Sequence, residues 1–248
     1  MTLDAIRQLT SPDRSRTQNV RLGAGLAFVA GATNAGAFLA VGQYTSHMTG
    51  IVSSIADAVA LKRWAIAAVS IGAVAAFMIG AATTAILVNF ARRRKLTSAF
   101  ALPLLLEALL LLAFGAFGAR LSTMRAFFAP VAVDLLCFTM GLQNAVITKI
   151  SNAEIRTTHV TGLVTDLGIE FGKLIYTNQT IRPDQEPVRA DRERLRVLSL
   201  LLMSFFVGGV LGTVGFQMFG YIATVPLAAI LGVLALVPAL DDVRTALR

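Results

Sequence analysis

Residues 64–90 read WAIAAVSIGAVAAFMIGAATTAILVNF, a run without one charged side chain. As an α-helix at about 1.5 Å per residue it would be about 40 Å long, more than the roughly 30 Å of hydrocarbon in a bilayer. A soluble core can hide one such helix, but not several. Comparable runs occupy residues 22–42, 101–118, 127–147, 197–218 and 221–239. Lipid offers nothing for backbone N–H and C=O groups to bond, so each segment must satisfy its own; a helix does this, and the alternation of barrel strands is absent. The expected fold is an all-α integral membrane protein with six transmembrane helices. Two shorter apolar segments, 51–61 and 163–175, reach only half to two-thirds of the way across and read as half-helices. The mean hydropathy of +0.71, with 56% hydrophobic and 15% charged residues, agrees with lipid as the main solvent.

The chain carries 22 Lys and Arg against 14 Asp and Glu, a net charge of +8. In a soluble protein that excess would raise nucleic acid as a partner. Here the positive residues sit between apolar segments, and no basic face follows a backbone path, so no nucleic-acid partner is expected. Six crossings sort the positive residues to one side: all but Lys62, Arg63, Arg120 and Arg125 fall on the side of the N-terminus. Positive loops are retained in the cytoplasm, so both ends are expected there. The organisation that follows is an N-terminal segment 1–20, one membrane domain 21–240 with a cytoplasmic loop 176–196, and a tail 241–248. The loop, with Pro183 and Pro187, reads as a solvated linker, with partner docking as the other use. No apolar stretch precedes residue 21, so the first span is expected to act as its own insertion signal. The single cysteine, Cys137, reads as a small buried hydrophobe.

The most specific pattern is an internal repeat. Ser46-His47-Met48-Thr49-Gly50 recurs as Thr158-His159-Val160-Thr161-Gly162, and both histidines of the chain lie in it. Each copy follows a long helix with an Asn-Ala pair, at Asn34 and Asn144, and precedes a half-helix and two full spans. Pro103-Leu104 and Pro226-Leu227 open the last span of each half. Three crossings is an odd number, so the halves, 21–119 and 126–240, are expected to be two inverted three-helix repeats, each with a short half-helix. In transporters such repeats bring half-helix ends to a solute near the midplane. Thr49 and Thr161 are natural N-caps, each followed by Gly50 or Gly162, and the positive helix ends suit a small anionic or polar solute. The alternative is a tight Thr-Gly turn, with each histidine bonded to a carbonyl freed by the broken helix.

Two acids fall inside spans, Glu107 and Asp134. Such a residue costs several kcal/mol unless paired, protonated or facing water. Each suits either a proton site or an interhelical hydrogen bond, for Glu107 to Asn34, Asn144 or Gln143. Asp57, Asp166 and Glu170 on the half-helices could face an aqueous vestibule, cap or snorkel. Gly208-x-x-x-Gly212 forms a close-packing face, expected within the bundle, with a homo-oligomer seam as its alternative. Trp64 reads as an interface anchor. Two histidines do not make a metal site, and neither a Ser-His-Asp order nor a phosphate-cradling glycine loop occurs, so no enzyme and no cofactor are expected. An intramembrane lipid enzyme using His47, His159 and Glu107 is the exception left open.

At Ala35-Gly36-Ala37-Phe38-Leu39, at Ser46 to Gly50, at Leu104-Leu105-Leu106-Glu107, and at Met140-Gly141-Leu142-Gln143-Asn144-Ala145 with Arg156 to Gly162, the chain resembles the YoaK-like family. That family consists of small bacterial multi-spanning membrane proteins with a domain of unknown function. The resemblance runs from Arg21 to the last span and implies a multi-pass protein of the bacterial plasma membrane, without implying a substrate. Ile51 departs from it, since the family commonly has Asn there. The function expected from the repeat is a small-solute transporter or channel, and the alternative is a membrane scaffold or regulatory subunit.

Overall fold

The computed structural model describes residues 15–94, 96, 99–121, 125–150, 160–178 and 187–246, and every regular element among them is helical. In chain order these are α1 (Arg16–Val41), α2 (Met48–Ala60), α3 (Trp64–Arg93), α4 (Ala101–Leu121), α5 (Arg125–Ile150), α6 (Val160–Ile175), α7 (Arg192–Phe219), a 3-10 turn (Gly220–Ala223) and α8 (Thr224–Ala246). Five stretches are long and apolar enough to cross a membrane: α1, α3, residues 101–118, residues 129–150, and a 45-residue stretch from Arg192 to Leu236 that includes α7 and most of α8. The half-helices α2 and α6 have 13 and 16 residues and begin three residues earlier than their apolar runs suggest.

Several boundaries move for identifiable reasons. α1 begins at Arg16 because Ser15 and Gln18 form a capping box, so residues 16–20 are helical. The last five residues of the polar stretch 176–196 belong to α7. Asp191 accepts the Arg194 N–H at 2.9 Å, and Glu193 lies in the first turn, so capping outweighs the charge density that reads as loop. α8 starts at Thr224, not Tyr221, because Gly220 turns to φ +59° and the chain passes through the 3-10 turn first. It runs on to Ala246, through most of the expected tail. Residues 1–14 and 179–186, with the charges at Arg182, Asp184 and Glu186, lie outside the described residues.

α1 and α5 are the inner helices: 61% and 67% of their apolar windows are buried, against 17% for α3 and 22% for the stretch containing α7 and α8. α1 packs chiefly on α7, α5 on α3, and α4 on α8. The outer faces of α3 and α7 present Ile66, Ile71, Met78 and Ile86, and Met203, Leu211 and Met218, an apolar surface suited to lipid.

The two main crossings are built from one short pattern. Phe28-Val-Ala-Gly31 on α1 meets Phe205-Phe-Val-Gly208 on α7, and Phe77-Met-Ile-Gly80 on α3 meets Phe138-Thr-Met-Gly141 on α5. A Cβ at Gly31 would run into the Phe205 carbonyl, and one at Gly208 into the Phe28 carbonyl. Gly80 and Gly141 stand in the same reciprocal relation to the Phe138 and Phe77 carbonyls. Backbones this close gain dispersion and Cα–H···O contacts, which drive association in lipid where apolar burial does not. Gly212 abuts Ala32, so the Gly208-x-x-x-Gly212 face is used inside the bundle. Thr84 donates to the Leu142 carbonyl at 2.9 Å, and Gln143 donates to the Leu26 carbonyl at 3.1 Å, adding polar links from α3 to α5 and from α5 to α1.

Candidate functional site

The chain leaves α1 at Gly42, whose φ of +74° ends the helix, and doubles back through residues 43–47 into α2. Asn34, about two turns before that end, accepts the Ser46 N–H at its Oδ1 (3.3 Å). Since the Ser46 N–H requires an acceptor, the amide oxygen faces it and the Asn34 –NH2 is directed elsewhere. Tyr44 stacks on Phe38 with ring centroids 4.6 Å apart, fixing the outer side of the turn. The helix then begins at Met48, with His47 at the cap position and no side-chain cap. Thr49 is therefore a first-turn residue and not the N-cap. Thr161 likewise lies inside α6, whose first residue is Val160. The sequence reading misplaces both because Thr is a good cap by composition, whereas the broken backbone already fixes the helix start one residue upstream of Thr49. The His47 ring folds back over the first turn: a Cβ at Gly50 would run into it.

This segment opens onto a cavity of about 980 Å³. Its polar lining is Asn34, Tyr44, Ser46, His47, Thr49, Asn144, Thr161 and Thr213; α7 supplies a mostly apolar wall of Leu202, Phe205, Phe206 and Val210, with Phe77 from α3. Among the described residues, no Asp, Glu, Lys or Arg lines it. The cavity thus brings together five of the eight sequence-predicted binding residues: Asn34, His47, Thr49, Asn144 and Thr161. Gly50 shapes it through His47, and Gly162 does not line it. His159 lies outside the described residues. Pattern reading missed Phe38, Tyr44, Phe77, Phe205 and Thr213. The Phe-x-x-Gly spacing shared by four helices is the signal that marks two of them.

Neither intramembrane acid reaches the cavity. Glu107 is fully buried on α4, and neither carboxyl oxygen has a hydrogen-bond partner among the described residues, so the expected bond to Asn34, Asn144 or Gln143 is not made. Gln143 instead spends its amide –NH2 on the Leu26 carbonyl. Asp134 is half-buried where α5 passes Gly72 of α3. Among the described residues no group of His, Cys, Asp and Glu could hold a metal ion.

The acids of α6 have a different use. Asp166 pairs with Arg194 at 3.0 Å, and Glu170 with Lys173 at 2.7 Å. Glu170 also accepts the Asp191 N–H at 2.8 Å. The Lys173 hydrogen bond, then that N–H, hold the Glu170 carboxyl below the usual carboxylate range; the Arg194 and Glu193 N–H groups do the same for Asp191. Arg16 reaches Glu193 at 2.9 Å, so α1, α6 and α7 are tied together beside the polar stretch. Asp57 is exposed near the end of α2 and does not line the cavity.

Searches of curated proteins and of solved structures give no match. A family model described as "Protein of unknown function (DUF1275)" matches residues 22–237, which takes in both crossings, both half-helices and the cavity between them. With its long apolar helices the chain is a multi-pass membrane protein, and it belongs to the DUF1275 family, the YoaK-like group that its paired motifs resemble.

Proposed function

We propose that this protein moves a small solute across the bilayer through the cavity at the ends of its two half-helices. The observation that carries this reading is that the first turns of α2 and α6, 112 residues apart in sequence, line one cavity through Thr49 and Thr161. In this reading the spans number six. The 45-residue stretch from Arg192 to Leu236 would be roughly 67 Å as one straight helix, over twice the hydrocarbon thickness, and the break at Gly220 divides it. The matched crossings, the pairing of α4 with α8, and Pro103 and Pro226 each at the third position of its helix support two inverted repeats. In this reading both termini lie in the cytoplasm, which the charge asymmetry supports, and the membrane is a bacterial plasma membrane, which the family resemblance supports. Glu107, buried and without a hydrogen-bond partner among the described residues, is the site at which a coupled proton would be held. A non-transporting scaffold is the competing reading.

Thermal unfolding in detergent tests this against a panel of amino acids, sugars, small anions and metals, for wild type and for His47→Ala with Thr161→Val. A ligand at about 100 times its dissociation constant stabilises the folded state by roughly 2.7 kcal/mol. The expected result is a ligand that stabilises wild type only and enters proteoliposomes containing the protein. Silence across the panel, with the variant as stable as wild type, would favour the scaffold, and so would a stoichiometric partner lost on deletion of residues 179–186.

A further inference from the structure

The chemistry of the cavity narrows what it can hold. The α2 first turn is uncapped by any side chain, and neither the Thr49 nor the Gly50 N–H bonds to a backbone carbonyl among the described residues. Beside it, Asn34 is only 8% exposed, its oxygen is committed to Ser46, and its –NH2 donates to no other group among the described residues, while the residue lines the cavity. A buried donor of this kind needs an acceptor from whatever enters. The first turn of α6 reaches the same space through Val160 and Thr161. Each helix N-terminus carries the equivalent of roughly +0.5 charge, so two of them balance roughly one negative charge. Among the described residues the lining holds no Lys or Arg for a second charge and no Asp or Glu for a cation. The cavity, about 980 Å³, is far larger than a bare anion requires, and the wall from α7 and Phe77 is apolar and aromatic.

Resting on the transport reading above, we infer that the solute is a monocarboxylate with an apolar or aromatic body. Its carboxylate sits at the Asn34 –NH2, the His47 ring and the first turn of α2, and its body lies against Phe77, Phe205 and Phe206.

Three probes of similar size, phenylacetate, phenylacetamide and phenethylammonium, with sulfate as a small doubly charged anion, test this on the purified full chain. Phenylacetate is expected to raise Tm saturably, phenylacetamide to bind at least about tenfold more weakly because a charged acceptor makes the stronger bonds, and the other two to leave Tm unchanged. His47→Gln is expected to weaken phenylacetate about tenfold, and Phe205→Ala to weaken it without restoring sulfate. Asn34→Leu removes the central donor but also frees the Ser46 N–H, so the exposed His47 and Thr49→Val variants carry the test if that variant does not fold. Tighter binding of sulfate or phenethylammonium than of phenylacetate overturns the inference, as does unchanged phenylacetate affinity in His47→Gln and Thr49→Val together. Labelled phenylacetate separates the two readings. Binding without uptake into proteoliposomes keeps the solute class and removes transport, whereas uptake of a sugar or cation with no phenylacetate binding keeps transport and removes the class.

Discussion

α2 and α6 are the same device fastened in two ways. α2 is followed at once by α3: Leu61 donates back to Asp57 and Arg63 to the Ala58 carbonyl at 2.7 Å, and Lys62 turns the chain at φ +57°. The connection is too short to let α2 move without α3. α6 is followed by residues 176–191, and besides Leu163 and Leu167 in the apolar core shared with α7, what holds it there is charge: Asp166 on Arg194, and Glu170 on the Asp191 N–H. Counting forward from the two His-x-Thr-Gly segments, the α2 positions that correspond to these acids are Ser54 and Ala58. Covalent shortness is indifferent to salt and pH, and ion pairs are not. α6 is therefore the half-helix whose seat the surroundings can loosen, and it carries Thr161 at the cavity.

The crossings that carry both half-helices offer the largest effect. Gly31→Val and Gly141→Val each drive a side chain into a facing carbonyl and should each cost about 1–3 kcal/mol or more, read as a drop in Tm in detergent. Equal losses would extend the likeness between the crossings, and a tolerated variant at one of them would break it. Acid comes next. The Glu170 carboxyl is held below its usual range chiefly by Lys173, so the stabilisation it gives is complete above the ordinary carboxylate pKa of about 4.3 and is lost as pH falls through the lowered folded value. Tm should decline over that window in wild type and more shallowly in Glu170→Gln; identical profiles would deny α6 its electrostatic seat. On the α2 side, Lys62→Gly should stabilise by up to about 1 kcal/mol, since a lysine in left-handed conformation costs roughly 1–2 kcal/mol and glycine gives back part of that in the unfolded chain. A loss of stability there would mean that the Lys62 side chain contributes more than its backbone costs. Smallest is Asp166→Asn, about 0.2–1 kcal/mol for an exposed pair, a difference that should vanish in 1 M NaCl.

The apolar runs made the helices legible because lipid leaves a long uncharged segment few other options, and the doubled His-x-Thr-Gly pointed to Asn34, His47 and Thr49 at one cavity. What stayed hidden depends on partners. Phe and Gly are commonplace in apolar helices, so Phe28, Gly31, Phe205 and Gly208 acquire meaning only when α1 is seen lying on α7. The helix starts at Met48 and Arg192 follow from backbone bonds and a cap that composition does not express. Asp166 and Glu170 looked like vestibule acids because Arg194 and the Asp191 N–H, which they bind in addition to the nearby Lys173 on Glu170, lie more than twenty residues downstream.

Cys137 is the one thiol of the chain, and it is sealed in a small apolar cluster with Ile51, Ala73 and Val133. A water-borne maleimide or spin-label reagent therefore finds no native target in the folded protein. A cysteine introduced at Thr161, at Thr49 or at a chain end would be the sole reporter of its own surroundings, so sidedness and half-helix motion can be followed in the native sequence background.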